Sequence, residues 1–339
     1  MSTAGIGILV VGMHRSGTSA LTGALQASGI ALGGPLMASD QHNEKGYQEL
    51  EAAVRIHEDF LGHFLLDGAS LAVLPESWEK SGAAETARVA IRELFQQQFS
   101  GEKLWALKDP RLCRTLPLWR QALADDRLRA VLALRHPLEV ANSLLTRNNF
   151  SINRTLLLWM QHVIEAEKST RGMIRSKILY DELIDDVVAV VERVKVELEI
   201  EWQLPDEERH RNLNAWIDPR LKHQHAPPAS VPASAFPPLV EIAVALYRVY
   251  EEPGILRNTE KLDQCYGEFM QMLSRHYGHL MQTEIERFEG QLAFQGADLA
   301  QRNEEIVRLR ETLSWKITTP LRTLGNFVGY SPAEKGSGN

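Results

Sequence analysis

Four short, mainly apolar runs punctuate the first half of the chain: Ile6 to Val11, Leu104 to Leu107, Leu128 to Leu134 and Lys177 to Tyr180. Apolar residues at odd and even positions alike predict strands buried on both faces, the environment of a parallel sheet. Between them the pattern changes to a helical period. Amphipathic helices are predicted over Ala20 to Ala27, Leu50 to Leu65, Glu85 to Phe99, Leu138 to Thr146, Arg154 to Arg171 and Leu183 to Glu197. Strands alternating with helices imply an α/β fold of three layers, a central parallel sheet with helices on both faces. Ligands of such sheets bind at the carboxyl ends of the strands. Three of the four runs end there in a charged cluster: His14-Arg15, Lys108-Asp109-Pro110-Arg111 and Arg135-His136-Pro137.

The pattern divides the chain in three: a globular domain over 1–277, a helical segment over 278–314 and a tail over 315–339. Within the first part, the Pro-rich stretch from His225 to Pro238 predicts a lid or linker over 223–238 that cannot be regular helix. In the second, Ile285, Leu292, Leu299, Ile306 and Leu313 recur every seven residues, with Phe288 and Leu309 at the companion position. Gln295 and Arg302 interrupt that seam, so it fits either an oligomerising coiled coil or a long solvated helix. Deleting everything after Tyr277 separates the two: the mass in solution falls if the heptads assemble homo-oligomers and is unchanged otherwise. Pro320 ends the pattern, and the final residues are expected to be disordered.

Composition narrows the function classes. The chain of 339 residues is 44% hydrophobic and 24% charged, the balance of a globular enzyme. Its net charge of −7 argues against general nucleic-acid binding. Two cysteines, Cys113 and Cys265, support neither a disulfide framework nor a structural zinc site. No apolar stretch reaches the ~18 residues of a membrane span. A cytoplasmic chain is expected, with peripheral contact at the inner membrane open to its tail.

The stretch "GMHRSGTS" (Gly12 to Ser19) has the glycine spacing of a phosphate-cradling loop, but Thr18 stands where a triphosphatase has Lys. A glycine turn between strand and helix aims backbone N–H groups and the helix dipole at an anion. Arg15 adds a planar cationic fork suited to phosphate or sulfate, and Ser16, Thr18 and Ser19 add hydroxyls. Asp109, the nearest carboxylate after a second strand, lies between Lys108 and Arg111, a setting that favours an anion over magnesium. An anion site that needs no metal is the result. A second element, "LRHPLEVANSLL" (Leu134 to Leu145), sets Arg135 at a strand end and Ser143 on the following helix, where both can converge on a second phosphate.

Together these two elements resemble the nucleotide-binding elements of sulfotransferases that use 3′-phosphoadenosine 5′-phosphosulfate (PAPS). "LKDPRLCRTLPLW" (Leu107 to Trp119) and "NEKGYQE" (Asn43 to Glu49) are similar to blocks of bacterial members. The resemblance covers roughly residues 5 to 220, and it is nearer the carbohydrate-acting and bacterial branches, because Arg15 replaces the Lys of many cytosolic members. It implies that Arg15, Ser16, Gly17, Thr18 and Ser19 hold the 5′ side of the donor, and that Arg135 and Ser143 hold its 3′-phosphate. Arg15 and Lys108 would stabilise charge on the bridging oxygen of an in-line sulfuryl transfer. Glu49 is the first candidate for the general base that deprotonates the acceptor hydroxyl, His42 the second, with Glu51 behind them.

The acceptor is expected to be a glycan or glycolipid of bacterial surface-polysaccharide assembly. Trp78, Trp119, Trp159 and Trp216 are candidate sugar-stacking residues. The tail "SWKITTPLRTLG" (Ser314 to Gly325) is similar to segments of bacterial glycosyltransferases, and could dock on such a partner or on a membrane. Two other classes stay open: a kinase-like phosphoryl transferase, which the missing loop Lys opposes, and a non-catalytic interaction platform.

Overall fold

A computed structural model describes residues 5–39, 46–123, 125–217, 235–276, 278 and 304. The candidate base His42, the Pro-rich stretch up to 234, the heptads and the tail therefore lie outside the described residues, apart from residues 278 and 304.

Among the described residues four strands form one sheet: β1 (Ile6–Val11), β2 (Leu104–Lys108), β3 (Leu128–Leu134) and β4 (Ile174–Leu179). Their order is β2-β1-β3-β4 and every pairing is parallel. Side chains of a strand alternate between faces, and β1 divides its own accordingly. Ile8 and Val10 join a core with Leu21, Leu25, Val191 and Val194, whereas Leu9 and Val11 join another with Ile91, Leu116 and Trp119. The expected three-layer α/β architecture is present.

The helices are α1 (Thr18–Ala27), α2 (Glu51–His63), α3 (Gly82–Gln98), α4 (Leu112–Ala122), α5 (Pro137–Asn148), α6 (Ile152–Ser169), α7 (Tyr180–Asp185), α8 (Val187–Leu198), α9 (Asp206–Trp216) and α10 (Pro237–Glu251). A further helix runs over 259–276.

Several boundaries depart from the pattern, each for a physical reason. Helix α4 was not expected, because Pro117 removes one intrahelical donor and clashes with the preceding turn. It forms because seven of its residues, from Leu112 to Trp119, are buried, and tertiary packing outweighs propensity. The single helix expected over Leu183 to Glu197 is two, divided at Asp186, whose carboxylate accepts the Ala189 N–H at 2.9 Å and caps α8. Strand β4 starts at Ile174, earlier than Lys177, and ends at Leu179, which makes Tyr180 the first residue of α7. Pro237 and Pro238, assigned above to the irregular segment, open α10 instead. In the first turn of a helix a missing N–H costs nothing. Among the described residues no helix is long and apolar enough to cross a membrane.

Candidate functional site

The loop from Gly12 to Gly17 turns β1 into α1. Its two glycines are demanded by close approach. A Cβ on Gly12 would lie 2.4 Å from the Ala133 carbonyl of β3, and one on Gly17 would lie 2.4 Å from Cδ2 of Tyr180. Gly17 also has φ +83° and Arg15 has φ 68°, so the loop passes twice through the left-handed region. No side chain caps the start of α1 and no carboxylate occupies its first turn, leaving its N–H groups and dipole facing the loop. Ser16 and Thr18 are buried in the turn. The Ser19 hydroxyl donates to the Tyr47 carbonyl at 3.0 Å, which staples the strip around Tyr47 to the loop helix.

The second element meets the first across the ends of β1 and β3. Arg15 Nε donates to Ser143 Oγ at 2.7 Å, joining residues 128 positions apart. Arg135 Nε donates to Glu139 at 2.7 Å, and its Nη1 reaches the Arg15 carbonyl at 3.4 Å. The Arg135 guanidinium lies 4.2 Å from the centre of the Tyr180 ring, and the Arg135 carbonyl accepts the Trp159 indole N–H at 3.1 Å.

A third arginine, which the reading of the sequence passed over, belongs to this group. Arg147 donates to the Tyr47 hydroxyl at 2.6 Å. Burial, then Arg147 and Arg135, lower the proton affinity of Arg15, so three guanidiniums converge on one region. The signal for Arg147 was its spacing of four from Ser143, which puts both on one helix face. Two residues further on, Asn149 has φ 52° and caps the end of α5.

At the end of β2 the register pairs Val10 with Lys108, setting the lysine beside the root of the loop. Lys108 Nζ donates to Glu49 Oε1 at 2.6 Å, and both groups are buried. Burial raises the pKa of Glu49 and lowers that of Lys108, each opposed by their mutual attraction. Such a carboxylate can accept a proton at higher pH than an exposed one. Glu51 instead opens α2 and pairs with Arg55 at 3.6 Å.

Asp109 is tied on both oxygens. The Trp119 indole, which can only donate, gives its N–H to His57 Nε2 at 2.9 Å. His57 Nδ1 must then carry the proton in the neutral ring, and it donates to Asp109 Oδ2 at 2.7 Å. Asp109 Oδ1 accepts from the Arg111 backbone N–H at 2.9 Å and from its guanidinium at 3.0 Å. Despite burial, His57 and Arg111 hold this carboxyl well below its usual range. The pairing with Arg111 follows the sequence; the one with His57 had no local signal.

Arg111 and Arg147 line a cleft of about 350 Å³ together with residues that include Met13, His14, Glu58 and Asp67. Burial lowers the His14 pKa to about 3, helped by His162 and Arg111. His162, fully buried, is pushed down to about 4. A histidine whose folded pKa is lowered supports stability above its unfolded pKa of about 6.5 and loses that support as pH falls toward the folded value. Stability should therefore drop between pH 6.5 and 4, by up to about 3 kcal/mol from His162. Urea titrations at pH 7 and 4.5 are expected to show a smaller drop in His162→Gln than in the wild type.

Two of the four tryptophans are removed from any sugar-stacking surface by burial. Trp119 and Trp159 are fully buried, and Trp216 donates to the Ala20 carbonyl at 2.9 Å. Trp78 stacks edge-on against Phe60.

Fold and side chains together define an α/β protein in which Arg15 and Arg135, at the carboxyl ends of β1 and β3, lie close to Arg147. No family model matches the chain, and no curated protein matches it. Among solved structures it is similar to the sulfotransferase domain of the Synechococcus PCC 7002 olefin synthase, at 16% identity and TM-score 0.44, over 71% of this chain and 94% of that one. It is also similar to sulfotransferase STF1 of Mycobacterium tuberculosis H37Rv (14%, TM-score 0.43, 72% of this chain and 77% of that). Sulfotransferase STF9 of Mycobacterium avium matches at 14% and TM-score 0.40, over 74% of this chain and 77% of that.

Proposed function

We propose that the chain is a sulfotransferase that moves a sulfuryl group from PAPS to a hydroxyl of a glycan or glycolipid in bacterial surface-polysaccharide modification. The observation that carries this reading is the 2.7 Å bond from Arg15 to Ser143 beside the Arg135 guanidinium. It joins a glycine-cradled anion loop to a second cationic element, as a ligand with two separated phosphate positions requires.

The residues fit that donor. Gly12 to Ser19 would hold its 5′ end through backbone N–H groups and Arg15. Arg135 and Ser143, with Arg147 alongside, would hold its 3′-phosphate. Bound there, the donor supplies a sulfuryl group on a phosphate leaving group. Arg15 and Lys108 place positive charge where negative charge builds on the bridging oxygen. Glu49, raised by burial and oriented by Lys108, takes the proton of the acceptor hydroxyl. The acceptor enters by the cleft beside His14.

Calorimetric titration with adenosine 3′,5′-bisphosphate, beside magnesium-ATP, tests the proposal. Tight binding of the bisphosphate in the absence of magnesium is expected. Binding of magnesium-ATP alone would favour a phosphoryl transferase and overturn it.

A further inference from the structure

Arg135 is held on more sides than a ligand for phosphate needs to be. Its Nε rests on Glu139, its Nη1 on the Arg15 carbonyl, and its own carbonyl on the Trp159 indole. One face of the guanidinium is covered by Tyr180, at 4.2 Å from the ring centre to the guanidinium carbon. Tyr180 begins α7 directly after β4, and it is 8% exposed. The same ring occupies the space of a Gly17 side chain, where a Cβ would meet Cδ2 at 2.4 Å. One aromatic ring thus touches the turning glycine of the anion loop and the arginine of the second element.

We propose that Tyr180 is a positioning residue that aims Arg135, and that through it the site selects nucleotides carrying a 3′-phosphate. This rests on the donor reading above. An unheld arginine samples many rotamers and loses that freedom when a ligand binds. A guanidinium already stacked on a buried ring has lost it beforehand, so more of the phosphate contact appears as affinity. The stack covers a face of the guanidinium, so oxygen atoms are met by the N–H groups at its edge that Glu139 and the Arg15 carbonyl leave over. Contact with Gly17 couples this aim to the loop, and the distance between the two anion positions is set by one rigid group. Tyr180 acts on the ligand through Arg135, by its ring rather than its hydroxyl.

The test uses the full chain and two variants, Tyr180→Leu and Tyr180→Phe, each titrated with adenosine 3′,5′-bisphosphate and with adenosine 5′-phosphate. The wild type is expected to prefer the bisphosphate. Tyr180→Leu should weaken the bisphosphate about tenfold, the loss of one desolvated cation–π contact, and change adenosine 5′-phosphate by less than about twofold. Tyr180→Phe keeps the ring and should keep the preference. An unchanged preference in the Leu variant overturns the proposal, as does a Phe variant that loses it. Tyr180→Met, of similar length and without a ring, takes the place of the Leu variant if that one does not fold, with the same expected loss. A wild-type chain that binds both nucleotides equally overturns the donor reading itself, an outcome visible before any variant is made.

Discussion

Arg135→Ala is expected to weaken binding of adenosine 3′,5′-bisphosphate by about a hundredfold while adenosine 5′-phosphate loses no more than a fewfold. A hydrogen bond between charged groups contributes about 1.5–3 kcal/mol, and the upper end is about two decades in affinity. The surroundings of Arg135 push toward that end. Glu139 accepts its Nε–H at 2.7 Å, so removing the arginine leaves a carboxylate beside the incoming phosphate without its partner. Loss of attraction and gain of repulsion then act together. Calorimetry with the two nucleotides measures the difference directly. Equal losses for both would refute the assignment of Arg135 to a 3′-phosphate.

Glu49→Gln is expected to lower sulfuryl transfer by about 10²- to 10⁴-fold, the usual contribution of a general base, with bisphosphate binding nearly unchanged. The amide keeps the shape and can still accept from Lys108, so the fold is spared. The pH profile gives an independent check. Glu49 must be ionised to accept a proton, and burial raises its pKa, so the acid limb lies above the ordinary glutamate value. Lys108 must be protonated to stabilise charge, and burial lowers its pKa, so the alkaline limb lies below the ordinary lysine value. The wild-type profile should therefore be a bell narrower than exposed groups would produce. The Gln variant should lose the acid limb. If it keeps wild-type transfer, the base is His42 or Glu51 instead.

Much of the fold was legible along the chain. β1 and β3 have the bounds their apolar runs predict, and α1, α3 and α6 lie within a few residues of their periodic stretches. These are local properties, since burial on two faces or one leaves a period in the residues themselves. Helix α4 shows the limit: a proline within eleven residues reads as a breaker until the burial around it is known. The acid-rich α9 was equally silent, because only Arg209 and Leu213 of its residues are buried and no apolar stripe marks it.

The site divides along the same line. Loop glycines, strand-end arginines and the Lys-Asp-Pro-Arg cluster announce themselves by spacing, because backbone turns and strand ends require particular residues at fixed intervals. Their partners do not. Arg15 reaches Ser143, Lys108 reaches Glu49, Asp109 reaches His57, and Tyr180 fills the space beside Gly17. Each pair is separated by fifty or more residues, and a side chain carries no mark of what lies opposite it across a sheet. The parallel order β2-β1-β3-β4 brings the strand ends together, and packing behind them then selects which charges meet. The chain alone shows a glycine loop and a second cationic element. The folded sheet brings them into contact, because only closure of those long connections places a guanidinium from each within hydrogen-bonding reach of the other.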